Sequence, residues 1–436
     1  MKQHDDYAVV GVGFGPSNLS LAVALDEHNK AGGNHLSATF VERQPAFGWH
    51  RNMLLPSAKM QVSFLKDLAT FRNPTSRHSF VSYLHEAGRL AQFVNNQDFF
   101  PTRQEFHDYL EWAGSHFADR VRYNAEVTAF RLPPRRRGGP ADTVQVEVRD
   151  KGEGGGARLL SGRNVVVSTG LVPKMPPGID RDERVWHSSE FLGRFRTVDP
   201  VTVRRVAVVG GGQSAAEIVR YVYDELPHAE VSAVLPSYGY AIADDTPFAN
   251  QIFDADAVDD YYHGSDRARD AFWRYHRNTN YGVADTDTIK DLYQRVYADE
   301  VAGNTRLSFR NLSRIDAVKQ IGDEVRATVF SARSGETYEL DVDVLIFATG
   351  YDPMDPADFL GDLAEHCLRD DSGRLRVGRD YRVLTSPEVT AGIYLQGGTE
   401  HTHGLASSLL SNIAIRSGEI VDSIAARRPV VQRSAA

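Results

Sequence analysis

Residues 9–21, VVGVGFGPSNLSL, constrain the fold more than any other stretch of the chain. Two valines run into Gly11, Gly13 and Gly15, and Pro16 then opens a segment with leucines at helical spacing. That order predicts a buried strand, a tight turn and a helix start. Glycine tolerates positive φ and lets a ligand approach the backbone closely. The helix N-terminus adds free N–H groups and the positive end of the dipole, which suit a pyrophosphate. Proline in the first helical turn gives up a donor that has no partner there. The stretch departs from the G-x-G-x-x-G fingerprint, because Pro16 stands where the third glycine belongs and glycine has moved to 15.

The same order recurs at residues 205–218, RVAVVGGGQSAAEI. Here Gly210, Gly212 and Ala215 satisfy G-x-G-x-x-A, after a valine-rich strand and before a helix. In each unit the end of the second strand decides which ribose is accepted. SATFV at 37–41 leads directly into Glu42, a carboxylate able to accept hydrogen bonds from adenosine ribose hydroxyls. EVSAVL at 230–235 leads instead into Pro236, Ser237 and Tyr238, with no acid. A 2′-phosphate meets no like charge there, so NADPH is permitted, although no arginine nearby in sequence selects it.

At 436 residues the chain is long enough for two or three domains. Forty-nine basic against 58 acidic residues give a net charge of −9, which argues against a general nucleic-acid or anionic-membrane surface. The one basic cluster, residues 135–137, lies among prolines and glycines and reads as a solvated loop. No apolar run has the length of a membrane span, and the start MKQHDDY has no signal-peptide core. A single cysteine, Cys367, excludes an internal disulfide framework and a C-x-x-C redox pair, and points to a cytoplasmic location. Disulfide reductases with two nucleotide sites are thereby set aside.

The expected fold is α/β: two Rossmann-like dinucleotide-binding domains with a smaller, mainly helical part. Residues 1–170 and 341–400 are assigned to the first domain, 171–243 and 286–340 to the second, and 244–285 with 401–436 to the closing segments. Residues 47–68 have irregular apolar spacing, as in a loop that covers something, and set Lys59 and Lys66 among apolar neighbours. Residues 101–113 predict an amphipathic helix with Phe106, Tyr109, Leu110 and Ala113 on one face. The aromatic-rich insert 244–285 offers Asn250, Asn278 and Asn280 as polar candidates. DVDVLIFATGY at 341–351 echoes NVVVSTG at 164–170 and is read as a return to the first sheet. In the last segment Leu405, Leu409, Ile413 and Ile420 have helical spacing. His401 and His403, two apart and without Cys or His partners, make poor metal ligands, and no metal is expected.

Taken together, these motifs resemble the microbial N-hydroxylating flavin monooxygenases, and most closely the L-ornithine N5-monooxygenases of siderophore biosynthesis. The likeness runs in order through GVGFGPSNLSLAVAL, MQVSFLKDLATFRNP, PTRQEFHDYLEWA, GGGQSAAE, DDTPFANQIF, NTNYGVAD, FATGY and HTHGLASSLLSNIAIRSGEI. The shifted glycine before Pro16 is part of the family pattern. The resemblance implies FAD held by Gly11, Gly13, Gly15, Pro16 and Glu42, with Trp49, Met60 and Gln61 near its ring. It implies NADPH at Gly210, Gly212, Gln213 and Ser214, and puts Asn280 beside both the nicotinamide ribose and the substrate, closest to the chemistry. Lys66 would pair with the substrate α-carboxylate, Asn250 would hold the same end, and Ser407 would meet the amine-bearing side. The family often carries an arginine where this chain has Pro236 or Ser237.

A buried lysine is costly without an anion, so Lys66 favours an amino acid over a diamine such as putrescine. The implied reaction is N5-hydroxylation of L-ornithine with O2, through a C4a-hydroperoxide of the reduced flavin. The family also implies a homo-oligomer, commonly a tetramer. A lysine or diamine N-hydroxylase is the neighbouring reading, and a non-catalytic NADPH-binding regulator is a different one. Bound flavin separates the last from the others.

Overall fold

The computed structural model describes residues 6–134, 139–152, 155–356 and 360–427. The basic run 135–137 lies outside them. Strand β1 (Asp6–Val12) is central to a first sheet. On one side it pairs in parallel with β2 (Ala38–Val41), which pairs with β3 (Val121–Arg122); on the other it pairs with β6 (Ala157–Val167). From Ala8 to Val12 the strand is buried on both faces, as an interior parallel strand must be. The C-terminal half of β6 pairs in parallel with β19 (Gly392–Leu395). Its N-terminal half pairs antiparallel with β5 (Val144–Asp150), and β5 with β4 (Ala125–Arg131).

Helix α1 (Pro16–Lys30) follows the glycine turn. Between β2 and β3 come α2 (Phe80–Glu86), α3 (Leu90–Asn96) and α4 (Arg103–Ser115). The face predicted for α4 is buried at all four positions, Phe106, Tyr109, Leu110 and Ala113. Phe106 stacks on Phe80 at 5.9 Å.

A second unit repeats the plan. Strand β9 (Arg205–Val209) lies between β10 (Glu230–Val234) and β17 (Val344–Phe347), with β13 (Leu307–Arg310) and β8 (Val185–His187) at the edges, all parallel. Helices α5 (Phe191–Phe195), α6 (Gln213–Glu225) and α10 (Thr286–Val301) belong to it, with an antiparallel meander of β14 (Ser313–Ile321), β15 (Glu324–Ser331) and β16 (Glu336–Val342). The two units are joined by an antiparallel ribbon, β7 (Leu171–Pro173) with β18 (Tyr351–Pro353).

Two expectations need correction. The strand at 344–347 does not return to the first sheet but lies inside the second, between β9 and β8, so residue 341 is not where the first domain resumes. A continuous apolar strand carries no label for its sheet, and both units end such a strand in Thr-Gly. The chain returns through the ribbon, and β19 is the strand that rejoins the first sheet. Nor is the last segment one helix. Short turns at Glu400–His403 (α11), Leu405–Ser408 and Leu410–Asn412 precede α12 (Ile413–Ala426). Helix α12 packs along α1 and so belongs to the first unit rather than to a closing piece.

The insert contains α7 (Pro247–Asn250), α8 (Ala255–His263) and α9 (Asp266–Asn280), framed by the short parallel pair β11 (Ala241–Ile242) and β12 (Val283–Ala284). Among the described residues no helix is long and apolar enough to cross a membrane.

Candidate dinucleotide and substrate sites

The glycines of the first turn have different reasons to be there. A Cβ on Gly11 would stand 2.3 Å from the Phe40 ring, and one on Gly13, whose φ is +82°, would stand 2.2 Å from the Ser168 carbonyl oxygen. Packing forbids a side chain at both. At Gly15 a Cβ would meet nothing within 4 Å. That open space lies at the start of α1, where Pro16 occupies the first turn and no side chain caps the helix. The second turn matches: Gly210, at φ +146°, would clash with the Ala348 carbonyl oxygen at 2.4 Å, while Gly212 at the uncapped start of α6 has its nearest neighbour at 3.8 Å. Each turn therefore leads into a helix start that no side chain caps, with open space at Gly15 and ordinary contact distance at Gly212, an arrangement that suits an anion.

Glu42 is buried and ties the end of β2 to the first turn. Its Oε2 accepts from the Phe14 N–H at 2.7 Å and its Oε1 from the Gln44 N–H at 2.8 Å. Each oxygen keeps acceptor capacity for a ribose hydroxyl. Asn18, which sequence reasoning missed, braces the same turn. Its Nδ2 donates to the Gly13 carbonyl at 2.7 Å, and its Oδ1 accepts from Gln396 Nε2 at 3.0 Å. A buried asparagine two residues past a helix-opening proline was the available signal.

Trp49 is half-buried and meets Phe106 edge-on at 6.1 Å. Met60 is buried, with its N–H donating to the Pro101 carbonyl at 2.9 Å. Gln61 is exposed and donates to Asp285 Oδ1 at 3.0 Å, reaching the second unit. In the last segment Thr399 Oγ1, Ser407 Oγ, Ser408 Oγ, Ser411 Oγ, Asn412 Oδ1 and Arg416 Nε are buried without a hydrogen-bond partner. Buried polar groups normally find partners, and their gathering in this one segment fits a polar ligand such as a flavin dinucleotide. Arg416 is fully buried, donates to the Ser407 carbonyl and, at 3.2 Å, to Ser17 Oγ in the first turn of α1.

At the second turn Gln213 is held from both ends. Its Oε1 accepts from the Asp285 N–H at 2.8 Å, and its Nε2 donates to Asp285 Oδ2 at 2.7 Å and Glu217 Oε1 at 3.0 Å. Ser214 follows it, half-buried. Gly282 lies against Gly212, and Asn280, the last residue of α9, precedes Gly282 by two residues. Tyr281 donates to Glu400 Oε1 at 2.5 Å, joining this segment to α11. The Asn278 side chain lies outside the described residues.

The two lysines separate clearly. Lys59 is paired with Asp98 at 2.7 Å. Lys66 has no carboxylate within 4 Å among the described residues; its ammonium stands 5.8 Å from the centre of the Phe253 ring. Burial pushes its pKa below the ordinary lysine value, opposed by the charge of Asp254. The loop carrying Lys66 is fixed by its neighbours. Asp67 accepts from the N–H groups of Ala69 (2.9 Å), Thr70 (2.6 Å) and Phe80 (2.7 Å), and the Leu68 N–H donates to Tyr109 Oη at 3.1 Å.

Phe253 ends the turn Gln251–Phe253, directly after Asn250 at the close of α7. That turn packs on Leu405–Ser408, which carries Ser407. Lys66, Asn250 and Ser407 are thus linked through one turn. At present Asn250 Nδ2 donates to the Asp245 carbonyl at 2.8 Å, and Ser407 Oγ is buried and unpaired.

Residues 5–353 match the family model described as L-lysine 6-monooxygenase/L-ornithine 5-monooxygenase. The chain is 62% identical to the ornithine N-hydroxylase of Kutzneria sp. 744, solved with reduced FAD, NADP+ and L-ornithine. The match has a TM-score of 0.92 and covers 96% of this chain and 99% of the other. It is 41% identical to an L-ornithine N(5)-monooxygenase of Burkholderia cepacia, over 93% of this chain and 91% of that protein. The corresponding figures for one from Pseudomonas aeruginosa are 36%, 95% and 93%.

Proposed function

The chain belongs to the L-lysine 6-monooxygenase/L-ornithine 5-monooxygenase family, and on that premise we propose that it hydroxylates the side-chain amine of L-ornithine at N5, with FAD, NADPH and O2. The observation that carries the choice of an amino acid over a diamine is the ammonium of Lys66, half-buried and without a carboxylate partner among the described residues. The likeness to ornithine hydroxylases favours ornithine among amino acids. An amino-acid α-carboxylate supplies the missing anion; a diamine would bring a second cation.

Bound FAD supplies the redox chemistry, taking hydride from NADPH and activating dioxygen. This chain's residues do the rest. Gly11, Gly13, Gly15, Pro16 and Glu42 hold the adenosine and diphosphate end, with Trp49, Met60 and Gln61 toward the ring. Gly210, Gly212, Gln213 and Ser214 hold NADPH, and Asn280 stands by the nicotinamide ribose and the substrate. Lys66 and Asn250 fix the α-carboxylate end of ornithine, while Ser407 meets the amine-bearing side. The reacting amine must be neutral, against a solution pKa of about 10.4 for a comparable side chain, so exclusion of water by the insert 244–285 also favours the reactive form.

The product, N5-hydroxyornithine, suits siderophore or related natural-product assembly. A homo-oligomer in the cytoplasm is the working form, a setting in keeping with the single buried Cys367.

The test is hydroxylamine formation, scored side by side with ornithine, lysine and putrescine in the presence of added FAD. Ornithine should give the highest kcat/KM. Equal product from putrescine would overturn the role of Lys66. A preference for lysine would move the enzyme to the other half of its family. A protein that takes up no FAD would be a nucleotide-binding regulator instead.

A further inference from the structure

Strand β10 ends without an acid or an arginine, yet NADPH carries a 2′-phosphate that must be met somewhere near that end. The neighbouring strand provides what β10 lacks. Arg310 closes β13, directly opposite Val234 at the close of β10. The two strand ends remain tied beyond the sheet: the Leu235 N–H donates to the Arg310 carbonyl at 3.0 Å, and the Leu312 N–H to the Ser237 carbonyl at 2.9 Å. Pro236 and Ser237 in turn flank Gly211 of the nucleotide turn, at 3.7 and 3.5 Å from the position a Cβ would take there.

This corner holds a positive charge without a counter-ion. Among the described residues no carboxylate lies within 4 Å of the Arg310 guanidinium. Its Nε is buried and unpartnered, and its remaining contacts are a 3.5 Å bond to Tyr338 Oη and a position 5.5 Å from that ring's centre. Two more buried polar atoms lack partners, Asn311 Oδ1 next in the chain and the hydroxyl of Tyr240, whose ring meets Phe309 of the same strand at 6.0 Å. By contrast Arg314, four residues on, is already paired with Asp316 at 2.7 Å. In an open parallel sheet, ligands bind beyond the carboxyl ends of the strands, and the ribose 2′ position lies at the end of the second strand.

We infer that Arg310 is the residue that binds the 2′-phosphate of NADPH and so sets the preference for NADPH over NADH. A guanidinium offers the forked donors a phosphate accepts. The role falls to the edge strand because β10 is followed by Pro236 and Ser237. This inference rests on the reading of the second glycine turn as the NADPH site.

The experiment uses FAD-loaded protein and two fragments, 2′,5′-ADP and 5′-AMP, titrated by calorimetry. Wild type should bind 2′,5′-ADP at least ten-fold more tightly than 5′-AMP. Arg310→Met should weaken 2′,5′-ADP by about ten- to a hundred-fold, the loss of a hydrogen bond to a charged group, and leave 5′-AMP affinity and FAD content unchanged. Arg310→Lys should keep part of the preference. In turnover, the KM for NADPH should rise in the Met variant while that for NADH stays put. A Met variant that keeps the wild-type preference, or a wild type with no preference, overturns the inference. Failure to hydroxylate ornithine would overturn the substrate reading and leave this one standing.

Discussion

Arg103 and Glu217 form a two-pronged ion pair between the units, with Nη1–Oε2 at 2.9 Å and Nη2–Oε1 at 3.0 Å. Arg103 opens α4 in the first unit, and Glu217 lies one turn into α6 in the second, with its side chain 1% exposed. Arg103 also donates to the Met53 carbonyl at 2.7 Å. Through Glu217 and Gln213 the pair reaches Asp285, and through Asp285 it reaches Gln61. The chain that fixes the nucleotide turn of one unit is therefore anchored in the other.

Removing one partner of such a pair strands a buried charge, at a cost of about 3–5 kcal/mol. Glu217→Ala should lower the urea midpoint of the FAD-loaded protein and raise the KM for NADPH, because Gln213 loses a partner. The double replacement Arg103→Met with Glu217→Met should regain most of the stability but not the NADPH affinity. A single variant as stable as wild type would show that the pair holds nothing together.

Lys66→Ala should raise the ornithine KM by roughly 10- to 100-fold, the range for losing a hydrogen bond to a charged group. The rate of flavin reduction by NADPH in stopped flow should stay within two-fold, about what a residue outside the hydride path allows. Turnover of putrescine, which has no carboxylate, should not fall. Equal losses with ornithine and putrescine would assign Lys66 to general packing.

The pH dependence follows from the same residue. Burial lowers the Lys66 pKa, so its ammonium is present below that value and lost as pH rises through it, earlier than for a lysine in water. Ornithine's own amine becomes reactive in the opposite direction, as pH rises. The kcat/KM profile for ornithine should therefore rise and then fall, since kcat/KM reports the free enzyme and free substrate. Lys66→Arg, charged throughout the range, should remove the falling limb. A profile for that variant that falls at the same pH would put the descending limb on another group.

Much of this was legible in the chain. Both strand–turn–helix units and the face of α4 follow from glycine spacing and apolar period, and the insert from its aromatic content, because those patterns act locally. The sheet of the strand at 344–347 does not follow, since VLIF and VVVS are interchangeable as buried strands and only pairing distinguishes them. Arg310 was hidden for a related reason. It lies far along the chain from β10, and only the parallel register of β13 beside β10 brings the two ends together. Glu42 was found as a carboxylate at a strand end, but its bond to the Phe14 N–H depends on how the turn folds back. Apolar neighbours marked Lys59 and Lys66 alike, the family resemblance chose Lys66, and its lack of a counter-ion needed the surrounding elements.

Gly13 and Gly15 offer the cleanest separation of folding from binding. Alanine at 13 would have to hold φ near +82° and place Cβ 2.2 Å from the Ser168 carbonyl oxygen. Left-handed backbone alone costs about 1–3 kcal/mol for such a residue, and the clash adds to it, so β1 and β6 must shift apart. Gly13→Ala should lower the melting temperature of the apoprotein and also weaken FAD. Gly15 has ordinary extended backbone, φ −86° and ψ −169°, and its Cβ would enter empty space. Apoprotein stability of Gly15→Ala should stay within about 0.5 kcal/mol of wild type. On the proposed FAD site the diphosphate meets the backbone in that empty space, so the added methyl should raise the FAD dissociation constant all the same. Thermal melts of both apoproteins, with and without FAD, give the two quantities separately. A Gly15→Ala protein stabilised by FAD as much as wild type would mean that the cofactor does not come close to the start of α1.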